Sequence, residues 1–148
     1  MRRILICAAV SLCVACGDEE RKNSLVDDGE LCVWGDAVPS VANLDGVFSK
    51  LEAGHALNVE VALDECLSSS CDHARTASCR VVLHGDQLVV ESRLEWTSHG
   101  GECTTDCGHL VARCASPPLA AGRYSVRFGK AVPFAITVPG ELGELCAK

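Results

Sequence analysis

The chain has 148 residues, with 13 Lys plus Arg against 20 Asp plus Glu and a formal charge of -7. Such a surface repels phosphate backbones, which excludes nucleic acid as a natural partner. Eleven cysteines in so short a chain read as a disulfide framework wherever the compartment oxidises thiols, and the length fits one domain behind a leader.

Residues 1–16 read MRRILICAAVSLCVAC. Arg2 and Arg3 make a basic start. The apolar run from Ile4 to Ala15 is too short for a permanent membrane span and suits the hydrophobic region of a signal peptide. Cys13-Val14-Ala15-Cys16 has the C-x-x-C spacing of redox motifs, but it ends an apolar leader instead of opening a helix in a folded domain. With small Ala15 directly before Cys16, these residues resemble the lipobox of bacterial lipoproteins. The position three before the acceptor, usually Leu in that family, is Cys13 here. The resemblance covers the leader alone. It implies a signal peptide over 1–15, lipid on Cys16, and a mature chain held to a bacterial membrane on its periplasmic or cell-surface side.

With that leader removed and Cys16 lipidated, eight cysteines remain: Cys32, Cys66, Cys71, Cys79, Cys103, Cys107, Cys114 and Cys146. An even set in an oxidising compartment is what four disulfides require. Losing Arg2 and Arg3 also takes the formal charge from -7 to -9.

Residues 16–30 follow as the lipidated cysteine and a flexible tether, because GDEERKNSLVDDGE offers no repeating apolar stripe to bury. The domain is expected over 31–148. Its dominant period is two. Leu57, Val59, Val61 and Leu63 alternate with polar neighbours, as in a half-buried strand. The run from Cys79 to His84, the Gly85-Asp86 pair and the run from Leu88 to Trp96 predict a hairpin, with Leu88, Val90, Leu94 and Trp96 on one face. His109 to Ala115 predicts a further strand, with a helical turn starting near Thr105 as its competitor. Tyr124, Val126 and Phe128 alternate before a Gly129-Lys130 turn; Val132, Phe134, Ile136 and Val138 alternate after it, with Pro133 marking an edge or bulge.

Residues 119–126, LAAGRYSV, resemble the tyrosine corner of immunoglobulin-like and fibronectin type III sandwiches, where a Tyr hydroxyl returns to the backbone just upstream. With one or two strands between Leu31 and Leu51, the count comes to about seven. The expected fold is all-β, an immunoglobulin-like Greek-key β-sandwich with disulfide-rich loops.

Traced up and down such a sandwich, loops 66–78 and 97–108 fall at one pole and gather Cys66, Cys71, Cys79, Cys103 and Cys107. Cys32 and Cys146 flank the domain and suggest a terminal staple, whereas Cys114 belongs nearer the other end on the strand count. His73, His99 and His109 share the cysteine-rich pole. His99, Cys103, Cys107 and His109 have spacings open to zinc, but oxidation of the thiols is favoured in this compartment and no metal is assigned. Ser68-Ser69-Ser70 lacks a glycine elbow, and Asp64, Glu65 and Asp72 do not form a calcium loop, so neither a catalytic residue nor a cofactor is assigned. Trp96 with His99 is the possible ligand contact, against a reading of Trp96 as core from its phase with Leu94. The expectation is a lipid-anchored, non-enzymatic envelope protein, an interaction or structural module for an unknown protein or glycan partner. Its recognition surface is expected at the cysteine-rich pole. The alternative is a module binding carbohydrate or metal there, and a secreted hydrolase comes third.

Overall fold

The computed structural model describes residues 19–35, 49–143 and 145–147; the expected leader and Cys16 lie outside the described residues. Eleven strands and no helix occur in the described part. They are β1 (Arg21–Val26), β2 (Glu30–Trp34), β3 (Ser49–Leu51), β4 (Asn58–Ala62), β5 (Asp72–His84) and β6 (Gln87–Ser98). There follow β7 (Val111–Ala115), β8 (Gly122–Phe128), β9 (Phe134–Val138), β10 (Gly140–Leu142) and β11 (Leu145–Ala147).

The expected hairpin is the backbone of the molecule. β5 and β6 pair from Asp72↔Ser98 to His84↔Gln87 around Gly85, whose φ of 64° is the left-handed geometry that favours glycine there. One side of β6 is occupied by β5. The other is shared by two strands in succession: β8 runs parallel to it at Gln87 to Val90, and β1 runs antiparallel to it at Arg93 to Ser98. β9 completes this sheet beside β8. The second sheet has the order β11-β2-β4-β7, and β10 pairs with β3 in a small third one.

Alternation explains which residues lie between the sheets. Leu88, Val90, Leu94 and Trp96 of β6 join one buried cluster with Tyr124, Val126 and Phe128 of β8 and with Leu31, Val33, Val59, Val61 and Ala112 of the second sheet. Leu88, Leu94, Val59 and Val61 are fully buried; removal of each such side chain from water contributes roughly 1.5 to 3 kcal/mol. The layers are also joined covalently, because Cys79 of β5 bonds to Cys114 of β7.

Three expectations are corrected here. Residues 21–26, expected to lie in the tether, form β1. This edge strand buries little and is held by its backbone ladder and by the Asn23 amide donating to Ser98 Oγ at 2.9 Å, neither of which apolar periodicity reveals. β5 starts at Asp72, seven residues before the expected Cys79, so the loop expected over 66–78 ends early. Val132 is 84% exposed and precedes β9, since Gly129 to Ala131 close the turn through the Ala131 N–H donating to Phe128 O. β6 and β8 pair in parallel, where a plain immunoglobulin sheet is antiparallel. The Tyr124 hydroxyl nevertheless donates to Ala120 O at 3.0 Å, the bond a tyrosine corner requires.

Asp27 fills the gap between β8 and β1 along β6. Its N–H donates to Ser92 O at 3.1 Å and its carboxylate accepts the Ser92 N–H at 2.7 Å, which completes the ladder with one residue. It adopts φ 51°, and a Cβ at Gly129 would run into its carbonyl oxygen. Asp27→Ala should therefore cost about 2 kcal/mol or more, combining a left-handed alanine with an unpaired Ser92 N–H. Asp27→Asn keeps an acceptor, tolerates the geometry and should cost less than about 1 kcal/mol. Urea unfolding of both variants checks the difference; equal losses would remove the splice role.

Candidate functional site: the cysteine-rich pole

β4 ends and β7 begins at the pole where β5 starts and β6 finishes, so loops 63–71 and 99–110 emerge side by side. They are zipped together. Leu67 and Gly108 exchange backbone hydrogen bonds at 3.1 and 2.8 Å, and the Leu63 N–H donates to Leu110 O at 2.9 Å. Cys66 bonds to Cys107 and Cys71 to Cys103, with Cα atoms 4.8 and 5.5 Å apart.

Four of the five cysteines expected at this pole are there. The fifth, Cys79, lies within β5 and reaches across the layers to Cys114. The apparent conflict over Cys114 came from starting β5 too late. Cys32 and Cys146 sit opposite each other on β2 and β11, bonded, with Cα atoms 4.1 Å apart.

A residue that sequence reading passed over organises the pole. The register of β5 on β6 shifts between His73 and Thr76, with Ala74 at φ 49°. This is an irregularity of the β-bulge kind, which re-aims a side chain. Arg75 thereby donates from Nε to Asp72 O at 3.1 Å and from Nη2 to Ser68 O at 2.8 Å. Asp72 accepts the Ser68 N–H at 2.8 Å and the Ser98 hydroxyl at 2.6 Å, which joins the turn to the end of β6 and, through Asn23, to β1. The signal in the sequence was faint: a break in alternation between Asp72 and Ala77.

The hydroxyls are used locally. Thr104 Oγ1 lies 2.9 Å from Ser68 Oγ and 3.1 Å from Ser70 Oγ, and the Thr104 N–H donates to Ser70 Oγ at 2.8 Å. His99 places Nε2 2.7 Å from Ser70 O and Nδ1 3.1 Å from Gly100 O. The imidazole thus bridges two loop carbonyls, those of Ser70 and Gly100. The His73 ring lies 6.1 Å from that of His99 and its Nε2 is 3.6 Å from Glu20.

The spacing open to zinc is taken apart by oxidation, since Cys103 and Cys107 are each in a disulfide. Among the described residues the one group with metal-like proximity is Glu30, Cys32 and Cys146, whose two sulfurs are bonded to each other. Trp96, a possible ligand contact with His99 or, from its phase with Leu94, a core residue, lies in the core at 9% exposure. An open depression of about 300 Å³ lies over Asp27, Arg80, Glu91 and Arg93. Arg80 and Glu91 are already paired across it at 2.5 Å.

Asp106 accepts from the Thr104 hydroxyl and from the Ser69 N–H, the latter at 3.1 Å. These donors, Thr104 first and Ser69 second, hold its carboxyl below the ordinary Asp value. With the folded pKa depressed, the support it gives the loop is present above the ordinary Asp range and is lost as pH falls through the lowered value. In an NMR titration the Ser69 amide should shift at a pH below that range, and Asp106→Asn should remove the transition. A midpoint at or above the ordinary value would contradict the geometry.

No family model, curated protein or solved structure matches the chain. The molecule is a disulfide-braced, sandwich-like all-β domain, and four disulfides are consistent with an extracytoplasmic protein.

Proposed function

We propose that this protein is a lipid-anchored, non-enzymatic module of a bacterial envelope, serving interaction or structure, with lipid on Cys16. The observation that carries the reading is the pairing of all eight cysteines that follow Cys16, which leaves Cys16 as the single cysteine of the mature chain without a disulfide partner to supply. The non-enzymatic part draws support from the pole, where hydroxyls, carboxylates and Arg75 bond to one another and to backbone. We read the sandwich as a modified immunoglobulin-like Greek key. The β2-β4-β7 order, the β8–β9 pair and the Tyr124 bond support that reading, with the β5–β6 hairpin docked on β8 through β6 in place of β5.

Globomycin, which inhibits the lipoprotein signal peptidase, should make the full-length precursor accumulate in a bacterial host. The mature protein should carry an acyl mass on Cys16 and partition with membranes. Normal processing in the presence of the inhibitor, with mature protein in the soluble fraction, would overturn the anchor.

A further inference from the structure

The pairing of β1 fixes where an anchor would enter the fold. Arg21 lies opposite Ser98, at the last residue of β6 and at the pole held by Cys66–Cys107 and Cys71–Cys103. Cys16 is five residues upstream, and five residues of extended chain reach at most about 16 to 18 Å. The opposite pole, with the Gly85-Asp86 turn, is twelve residues of β6 away, about 40 Å along a strand. Five residues cannot span that distance.

We infer that the cysteine-rich pole is the membrane-facing surface of the domain, set against the lipid headgroups, and that the pole carrying the Gly85-Asp86 turn points away from the bilayer. The inference rests on the proposed lipidation of Cys16. It also reassigns the pole that loop position alone suggested for partner recognition. The pole can meet hydrated, uncharged headgroups through the exposed Ser69, Ser70 and Thr104, in turns that two disulfides fix, while the exposed Asp64, Glu65, Glu102 and Asp106 keep it from inserting and disfavour anionic lipid. The flanks do not suit a membrane. Val26 and Val132 are the exposed large hydrophobic residues among those described, and the outer face of the hairpin carries Arg80, Glu91, Arg93 and Glu95 in ion pairs. A domain lying on its side would press those charges onto the bilayer with no apolar stripe to insert.

The test uses the full-length protein, processed and acylated by a bacterial host, in phosphatidylcholine vesicles with a fraction of nitroxide-headgroup lipid. A fluorophore is attached through a non-natural azido residue at exposed Glu102 in one sample and at exposed Asp86 in another, leaving the cysteines untouched. The fluorophore at position 102 should be quenched several-fold more than that at position 86. Equal quenching, as for a side-lying domain, or stronger quenching at position 86 would overturn the orientation while anchoring stands. Vesicle flotation and the acyl mass on Cys16 are read from the same samples. Failure to float, with no acyl mass, overturns the anchored reading and the orientation with it.

Discussion

Replacing Cys32 and Cys146 together by alanine lowers the unfolding free energy by about 4 to 5 kcal/mol, the chain-entropy value for a loop that encloses nearly the whole domain. The bond joins residues 114 apart on adjacent strands β2 and β11, so in the unfolded chain it removes the freedom of almost every other residue. The logarithmic dependence on loop length gives a second expectation. Replacing Cys71 and Cys103, 32 residues apart, should cost only about 1 kcal/mol less despite a loop less than a third as long. Urea unfolding of the chain beginning at residue 17, exported to an oxidising periplasm, measures both. A near-zero effect of the longer bridge would show that β2 and β11 hold the terminus without it.

Trp96→Ala is the side-chain change with the largest expected cost, about 3 to 5 kcal/mol. The ring is 9% exposed within the central cluster, so its removal leaves a cavity in a packed interior. Trp96→Phe retains most of the volume and should recover more than half of the loss. An unchanged midpoint for Trp96→Ala would instead describe a ring at the surface, and the carbohydrate alternative would return.

The sequence is most readable where one face is buried. β6 announced itself because Leu88, Val90, Leu94 and Trp96 keep a period of two, and the register of its hairpin followed from Gly85-Asp86. β1 was illegible for the opposite reason: Arg21, Lys22 and Ser24 are exposed, and of its apolar residues only Leu25 packs against the core, too short a trace to reveal a strand held by backbone bonds along one edge. The pole fell between these cases. Its four loop cysteines were placed correctly, but the break at Ala74 hid the first seven residues of β5, and with them the route by which Cys79 meets Cys114. Arg75 was missed because nothing in its identity distinguishes a guanidinium solvated at the surface from one bonded to Asp72 O and Ser68 O.

The direction of β1 also decides how the domain bears mechanical load. Its six residues run antiparallel to β6 and begin at the cysteine-rich pole, so tension applied ahead of Arg21 acts along the strand axis. The bonds between β1 and β6 then resist together, in shear, instead of peeling away one after another. Asp27, directly after β1, is fastened to Ser92 by two hydrogen bonds and adds to that resistance at the far end of the ladder.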